Sequence, residues 1–195
     1  MSADKALDGR EVLLCVTGGI AAYKSADLAS KLVQAGAGVT VAMTEAATRF
    51  VGPLTFVSLT RRAVYTSLWQ AGEHHDPQHL SLTEQADLMI VAPATANFLA
   101  KAANGIADDL VSTLALSAWG ACPILVAPAM NTRMWEAPAT RANVARLTEW
   151  GVRFVGPGEG YLACGTTGLG RMAEVADILA AAREMLAGSE PKHAR

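Results

Sequence analysis

The chain is short of the features that would place it in several large classes. It has three cysteines in 195 residues, Cys15, Cys122 and Cys164. An odd, widely scattered set does not make a disulfide framework, so free thiols are expected. There is no excess of positive charge: 16 Lys and Arg stand against 18 Asp and Glu, a formal charge of −2. Apart from a short tail at Lys192 to Arg195 there is no basic block, so neither nucleic acid nor a membrane surface is an expected partner. No apolar run approaches the roughly 20 residues of a membrane span. The start, Met1-Ser2-Ala3-Asp4-Lys5, lacks the basic-then-apolar order of a secretion signal, and a cytoplasmic location is expected. Repeats, low-complexity segments and a dividing linker are also missing. What remains, 51% hydrophobic and 17% charged, is the composition of one globular domain with a substantial core.

The apolar runs that are present are continuous, not alternating. Glu11 to Thr17, Gly38 to Thr44, Ala86 to Ala92, Pro123 to Ala127 and Val152 to Val155 read as buried strands, with Ala63 to Tyr65 as a weak edge strand. Helical patterns fall between them: Ile20 to Ala35 closed by Gly36, a short helix from Thr44-Glu45, Pro53 to Leu59, a helix capped by Thr95, Asp108 to Trp119, Pro138 to Trp150, and Glu174 to Leu186. Residues 66–81 and the glycine-rich stretch after Val155 read as loops. Strands alternating with helices predict a three-layer α/β/α Rossmann-like domain on a six-stranded parallel sheet. The expected strand order is 3-2-1-4-5-6, with a ligand crevice beyond the carboxyl ends of the strands. The domain is expected over residues 11–187, with an N-terminal extension at 1–10 and a tail at 188–195.

Four strand ends carry residues suited to a phosphate or a flat heterocycle: Thr17-Gly18-Gly19-Ile20, Thr44, Ala92-Pro93-Ala94-Thr95-Ala96-Asn97 and Ala127-Pro128-Ala129-Met130-Asn131. Gly18 and Gly19 either let helix-start N–H groups approach an anion or simply make a tight turn. A GxGxxG fingerprint is lacking, because the two glycines are adjacent and Ala22 fills the last position, which disfavours a plain NAD site. Asn97 and Asn131 are either turn residues or amides that recognise a polar ring or carboxylate. His74, His75 and His79 beside Asp76 imitate a metal cluster, but Pro77 breaks the helix that would align them, and no metal site is expected. His79 leads into the strand at Ala86 and can enter the crevice as a base. Cys164 lies in a flexible glycine-rich segment able to act as a lid and is the reactive thiol candidate. Cys15 and Cys122 read as packing thiols.

These motifs carry a resemblance. TGGIAAYK (Thr17 to Lys24), His79-Leu80-Ser81-Leu82, APATAN (Ala92 to Asn97), GIADDL (Gly105 to Leu110), PAMNTRMW (Pro128 to Trp135), and ACG followed by GRMAE (Gly170 to Glu174) occur in order. Over about residues 11–182 the chain resembles the homo-oligomeric flavin-containing cysteine decarboxylases. The resemblance implies FMN as cofactor, bound between subunits of a trimer or a multiple of trimers. The FMN phosphate would lie near Gly18, Gly19 and Ile20, and the ring near Thr44, Ala94, Thr95 and Asn97. It also implies a reaction: a cysteinyl thiol is oxidised to a thioaldehyde, the neighbouring carboxylate leaves as CO2, and the enethiolate is reduced. The substrate implied is 4'-phospho-N-pantothenoylcysteine, converted to 4'-phosphopantetheine in coenzyme A biosynthesis, with a separate phosphopantothenate–cysteine ligase making that substrate. Carried over by motif, His79 is the base, Asn131 holds the carboxylate, Met134 packs beside the substrate with Ala129 and Met130, and Cys164 donates the final proton.

Two departures stand out. Glu84 occupies a place, five residues after His79, that is basic in many relatives, which weakens recognition of the substrate's anionic groups there. Asp108-Asp109 replaces an Asp-Asn pair, and a helix cap accounts for it without a catalytic role. The competing expectations are a peptide C-terminal cysteine decarboxylase, against which Ala163-Cys164-Gly165 argues, and a non-catalytic FMN-binding regulatory subunit, for which the long acidic extensions are missing.

Overall fold

The computed structural model describes residues 6–69, 78–163 and 165–192. Along the chain run β1 (Glu11–Val16), α1 (Ala22–Gln34), β2 (Gly38–Met43), α2 (Glu45–Thr48), α3 (Pro53–Thr60), β3 (Val64–Tyr65), α4 (Gln78–Gln85), β4 (Leu88–Ala94) and α5 (Ala96–Asn104). Then follow α6 (Leu110–Ser117), β5 (Ile124–Pro128), α7 (Thr132–Glu136), α8 (Pro138–Glu149), β6 (Arg153–Phe154), β7 (Gly158–Tyr161), β8 (Thr167–Arg171) and α9 (Val175–Leu186). Six strands pair in the order β3-β2-β1-β4-β5-β6, all parallel, as the alternation of elements predicts. The chain reverses direction across the sheet between β1 and β4, and that is where a crevice must open.

The strands read as continuous apolar runs because both faces of the sheet are covered. In β1, Val12, Leu14 and Val16 pack with α1 and α9 residues such as Leu28, Leu32 and Ile178. Leu13 and Cys15, pointing the other way, pack with Leu99, Leu114 and Leu147 of α5, α6 and α8. Fully burying one such side chain stabilises the fold by about 1.5–3 kcal/mol, so neither face tolerates a polar substitution. Helix starts follow their capping residues. Thr44 caps α2 by accepting from Ala47 N, Thr95 caps α5 by accepting from Phe98 N, and α3 and α8 begin on Pro53 and Pro138. Asp109 forms a capping box with Ser112 at the start of α6, which bears out the structural account of the acidic pair.

Two elements differ from expectation. The turn after β5 continues as the five-residue α7, capped by Asn131, where only a turn was foreseen. The glycine-rich stretch after β6 is a hairpin of antiparallel β7 and β8, where a loop was foreseen. Glycine obscures the alternation that marks a strand: Gly158, Gly160, Gly168 and Gly170 alternate through the two strands, leaving little apolar periodicity to read. At the end of the sheet away from the crevice, Leu7 is 1% exposed and packs into the core, so part of the expected N-terminal extension joins the domain. The tail is fastened beside it. Lys192 Nζ donates to the carbonyl oxygens of Ala86 and Ala121 at 2.7 and 2.6 Å, and Arg10 bonds the carbonyls of Leu186 and Ser189.

Candidate active site

The ends of β1 and β4 are joined through one buried hydroxyl. Thr17 Oγ1 donates to the Pro93 carbonyl oxygen at 2.7 Å and accepts from Thr95 N–H at 3.1 Å. Ser25, on the buried side of α1, donates to the Ala92 carbonyl oxygen at 2.6 Å. These bonds hold APATAN against the start of α1. In the gap, the N–H groups of Gly18, Gly19 and Ile20 find no hydrogen-bond acceptor among the described residues. Three unpaired donors in the turn that leads into a 13-residue helix suit an anion. Gly18 is required by crowding, since a Cβ there would fall on Ala46 Cβ and 2.9 Å from its carbonyl carbon.

Two adjoining cavities open from this point, and Gly18, Thr95, Ala96 and Met134 line both. The larger, about 720 Å³, runs between α2 and α5 and is lined by Thr44, Asn97, Phe50, Lys101 and Asp109 among others. The second, about 500 Å³, is bounded by Ile20, Tyr23 and Lys24 of the α1 segment, by Ala129, Met130 and Asn131, and by Tyr161, Leu162, Ala163 and Arg171 of the hairpin. Both are of the size that takes a cofactor or small substrate. Unpaired backbone donors beside two largely apolar cavities suit a ligand that joins an anionic group to an apolar body.

Asn131 is fixed by its capping role. Its Oδ1 accepts from Arg133 N at 2.8 Å, which makes the amide nitrogen the donor end of the side chain. The hairpin is anchored to the same segment. Met130 N donates to the Gly170 carbonyl oxygen at 2.9 Å. Gly170 has φ 150°, and a Cβ there would collide with the Met130 carbonyl. Below Asn97 on α5, Lys101 bridges Asp108 and Asp109 at 2.6 and 2.7 Å. Burial opposes its charge, but the two carboxylates outweigh that and raise its pKa above the ordinary lysine value.

Comparison with known proteins decides the family. The Flavoprotein family profile matches residues 1–187. The chain belongs to the Flavoprotein family. It is 41% identical, over 91% of its length and 99% of the relative's, to the probable phosphopantothenoylcysteine decarboxylase of Streptococcus mutans. It is 50% identical, over 93% of its length, to the coenzyme A biosynthesis bifunctional protein CoaBC of Bacillus subtilis, of which it spans 44%. The relatives of Vibrio vulnificus and Mycolicibacterium smegmatis are bifunctional proteins of the same kind, and the chain spans less than half the length of each. Among solved structures, a mutant PPC decarboxylase complexed with pantothenoylaminoethenethiol superposes with a TM-score of 0.83 at 32% identity, covering 90% of this chain and 97% of that one. The FMN binding protein AtHal3 gives 0.82 at 30%, covering 93% and 99%. The flavoprotein fold, with its Rossmann-like sheet order, is the one read from the sequence.

The residues singled out from the sequence distribute as follows. Gly18, Gly19, Ile20, Thr95, Ala129, Met130, Asn131 and Met134 line the smaller cavity, and Thr44 and Asn97 the larger. Ala94 lies within β4, fully buried, with its carbonyl oxygen accepting from Ala129 N at 3.0 Å; its place is behind the wall. His79 falls in the first turn of α4, and its side chain lies outside what the structure describes. Cys164, His74, His75 and Asp76 also lie outside the described residues. Among the lining residues not foreseen are Tyr23, Lys24, Tyr161 and Arg171. The i, i+3, i+4 spacing of Ile20, Tyr23 and Lys24 on a helix start was a readable signal, whereas Arg171 depends on the hairpin that glycine concealed.

Proposed function

We propose that this chain catalyses the FMN-dependent decarboxylation of 4'-phospho-N-pantothenoylcysteine to 4'-phosphopantetheine. The observation that carries the reading is the cavity pair: unpaired helix-start donors at Gly18, Gly19 and Ile20 adjoin a chamber containing Asn131, in a chain similar over nearly its whole length to a probable decarboxylase of that substrate. FMN would be held by those donors and by Thr44, Thr95 and Asn97, with Ala94 behind them, and would supply reversible two-electron chemistry at the substrate sulfur.

The chain's own residues supply the remainder. Asn131, with its oxygen bound to Arg133 N, offers its amide N–H groups to the cysteinyl carboxylate. A neutral donor orients that group without neutralising it. A cation in contact would stabilise the carboxylate that must depart and slow the loss of CO2. Met134, Met130 and Ala129 exclude water beside the reacting carbon. His79 takes the thiol proton, and Cys164, as a thiol, returns a proton at the end.

The lining of the two cavities includes Ile20, Tyr23, Phe50 and Met134, each at least about half exposed. Neighbouring protomers of a trimer, or a multiple of trimers, would cover these groups and enclose the cofactor. Catalysis is assigned to the cytoplasm, with a ligase module providing the substrate; among the described residues no helix is long and apolar enough to cross a membrane.

The test is direct. The purified protein loaded with FMN should release CO2 from 4'-phospho-N-pantothenoylcysteine and form 4'-phosphopantetheine. Turnover of cysteine-ended peptides in its place would move the chain to the peptide branch of the family, and failure to bind FMN would remove the mechanism.

A further inference from the structure

We propose that Lys24 and Arg171 form the recognition site for the phosphate monoester of the substrate. The inference rests on the decarboxylase reading and assigns the anion specificity that Glu84 leaves without a residue. Lys24 and Arg171 are the charged side chains lining the smaller cavity, and no carboxylate lines it among the described residues. They come from different parts of the chain, α1 and β8, yet both reach Glu174. Lys24 Nζ lies 3.4 Å from one carboxylate oxygen, and Arg171 Nη2 lies 2.8 Å from the other.

Glu174, its side chain 57% exposed, pairs with both and holds together two cations that would otherwise repel each other. Lys24 is mostly buried, its side chain 12% exposed, so its ammonium is held in place and does not wander in solvent. Arg171 is positioned by a missing side chain: its stem crosses Gly160 of β7, where a Cβ would lie 3.1 Å from Cδ and 3.3 Å from Nη1. The pair therefore carries a net positive charge after Glu174 is counted, lines a largely apolar chamber, and is tied together through Glu174.

The chemistry selects the ligand group. A carboxylate about to be lost as CO2 is served by neutral Asn131, and a cation belongs with the end of the substrate that does not react. A phosphate monoester carries close to two negative charges and accepts both a bidentate guanidinium and a point-charge ammonium. The helix-start donors that fit FMN stand on the same α1 segment, so the cofactor phosphate is the rival source of the same chemistry. The experiment must separate the two.

The probes are 4'-phosphopantothenate and unphosphorylated pantothenate, titrated calorimetrically into FMN-loaded protein, with FMN and riboflavin titrated into the apoprotein. Wild type should bind the phosphorylated compound about 100-fold more tightly. Lys24→Gln and Arg171→Gln should each remove about tenfold of that advantage, the size expected for loss of one charge-assisted contact. Pantothenate affinity and the FMN-to-riboflavin ratio should be unchanged. An advantage that survives in the double variant, or that is missing from wild type, overturns the proposal. So does a fall in the FMN-to-riboflavin ratio, which would assign the cations to the cofactor. If a neutral variant does not fold, wild type alone decides: the advantage must shrink as salt rises, and a salt-independent preference overturns it. Both probes lack cysteine, so absence of CO2 release from the full substrate would defeat the decarboxylase reading without touching the phosphate result.

Discussion

The hydroxyl of Thr17 accepts a hydrogen bond from the backbone N–H of Thr95 at 3.1 Å while donating to the Pro93 carbonyl oxygen at 2.7 Å. One side chain, 1% exposed, thereby sets the spacing of the two strand ends that flank the chain reversal. Thr17→Val keeps the shape but leaves the Thr95 amide unpaired and the Pro93 carbonyl with only the Thr17 backbone N–H. The expected loss is about 1–3 kcal/mol in urea unfolding, together with weaker FMN binding, because the Thr95 wall loosens. Thr17→Ser should restore both.

The two adjacent glycines should respond very differently to the same methyl group. A Cβ at Gly18 meets the backbone of Ala46, 2.9 Å from its carbonyl carbon, whereas at Gly19 it reaches only Thr95 Cγ2 at an ordinary 3.6 Å. Gly18→Ala should displace α2 and cost at least tenfold in FMN affinity by fluorescence titration. Gly19→Ala should fold with wild-type stability, and any loss of cofactor there reports crowding of the ligand and not of the protein.

The structural role of Asn131, capping α7, can be separated from the chemical role proposed for it. Asn131→Asp retains the oxygen that caps α7 and should unfold within about 0.5 kcal/mol of wild type, since Asp and Asn are comparable caps. It should nevertheless raise KM for the carboxylate substrate more than tenfold, because like charges then face each other. Asn131→Ala should lose the cap as well, at about 1 kcal/mol. Equal KM for Asn131→Asp and wild type would remove the carboxylate assignment.

Cys15 is a dormant titrating group. Burial, then the proximity of Cys122 and Asp109, raises its pKa far above the ordinary thiol value of 9.0. The native state thus holds the proton after the unfolded chain has released it. Stability from this group is complete below pH 9 and drains away above it, at about 1.4 kcal/mol per pH unit. Unfolding free energies measured from pH 8 to 10.5 should fall less steeply in Cys15→Ala than in wild type. Iodoacetamide at pH 8 should leave Cys15 unmodified until the protein unfolds.

The sheet was legible because its strands are apolar on both sides. Once β1, β2, β4 and β5 are recognised as buried and separated by helices, right-handed crossovers leave few strand orders open. Thr44, Thr95 and Asn131 were legible as small polar residues at strand ends, where capping and ligand binding draw on the same side chains. The hairpin was not, because glycines at Gly158, Gly160, Gly168 and Gly170 carry no side chain from which alternation can be read. Arg171 was lost with it. Ala94 shows the opposite limit: a motif marks a segment as functional, but within APATAN only geometry separates the residues that face the ligand from those that support the wall.

The bond from Met130 N to the Gly170 carbonyl oxygen gives the hairpin a fulcrum on the strip of chain that carries Asn131. A substitution that distorts β7 or β8 should therefore also shift Asn131, which belongs to neither strand.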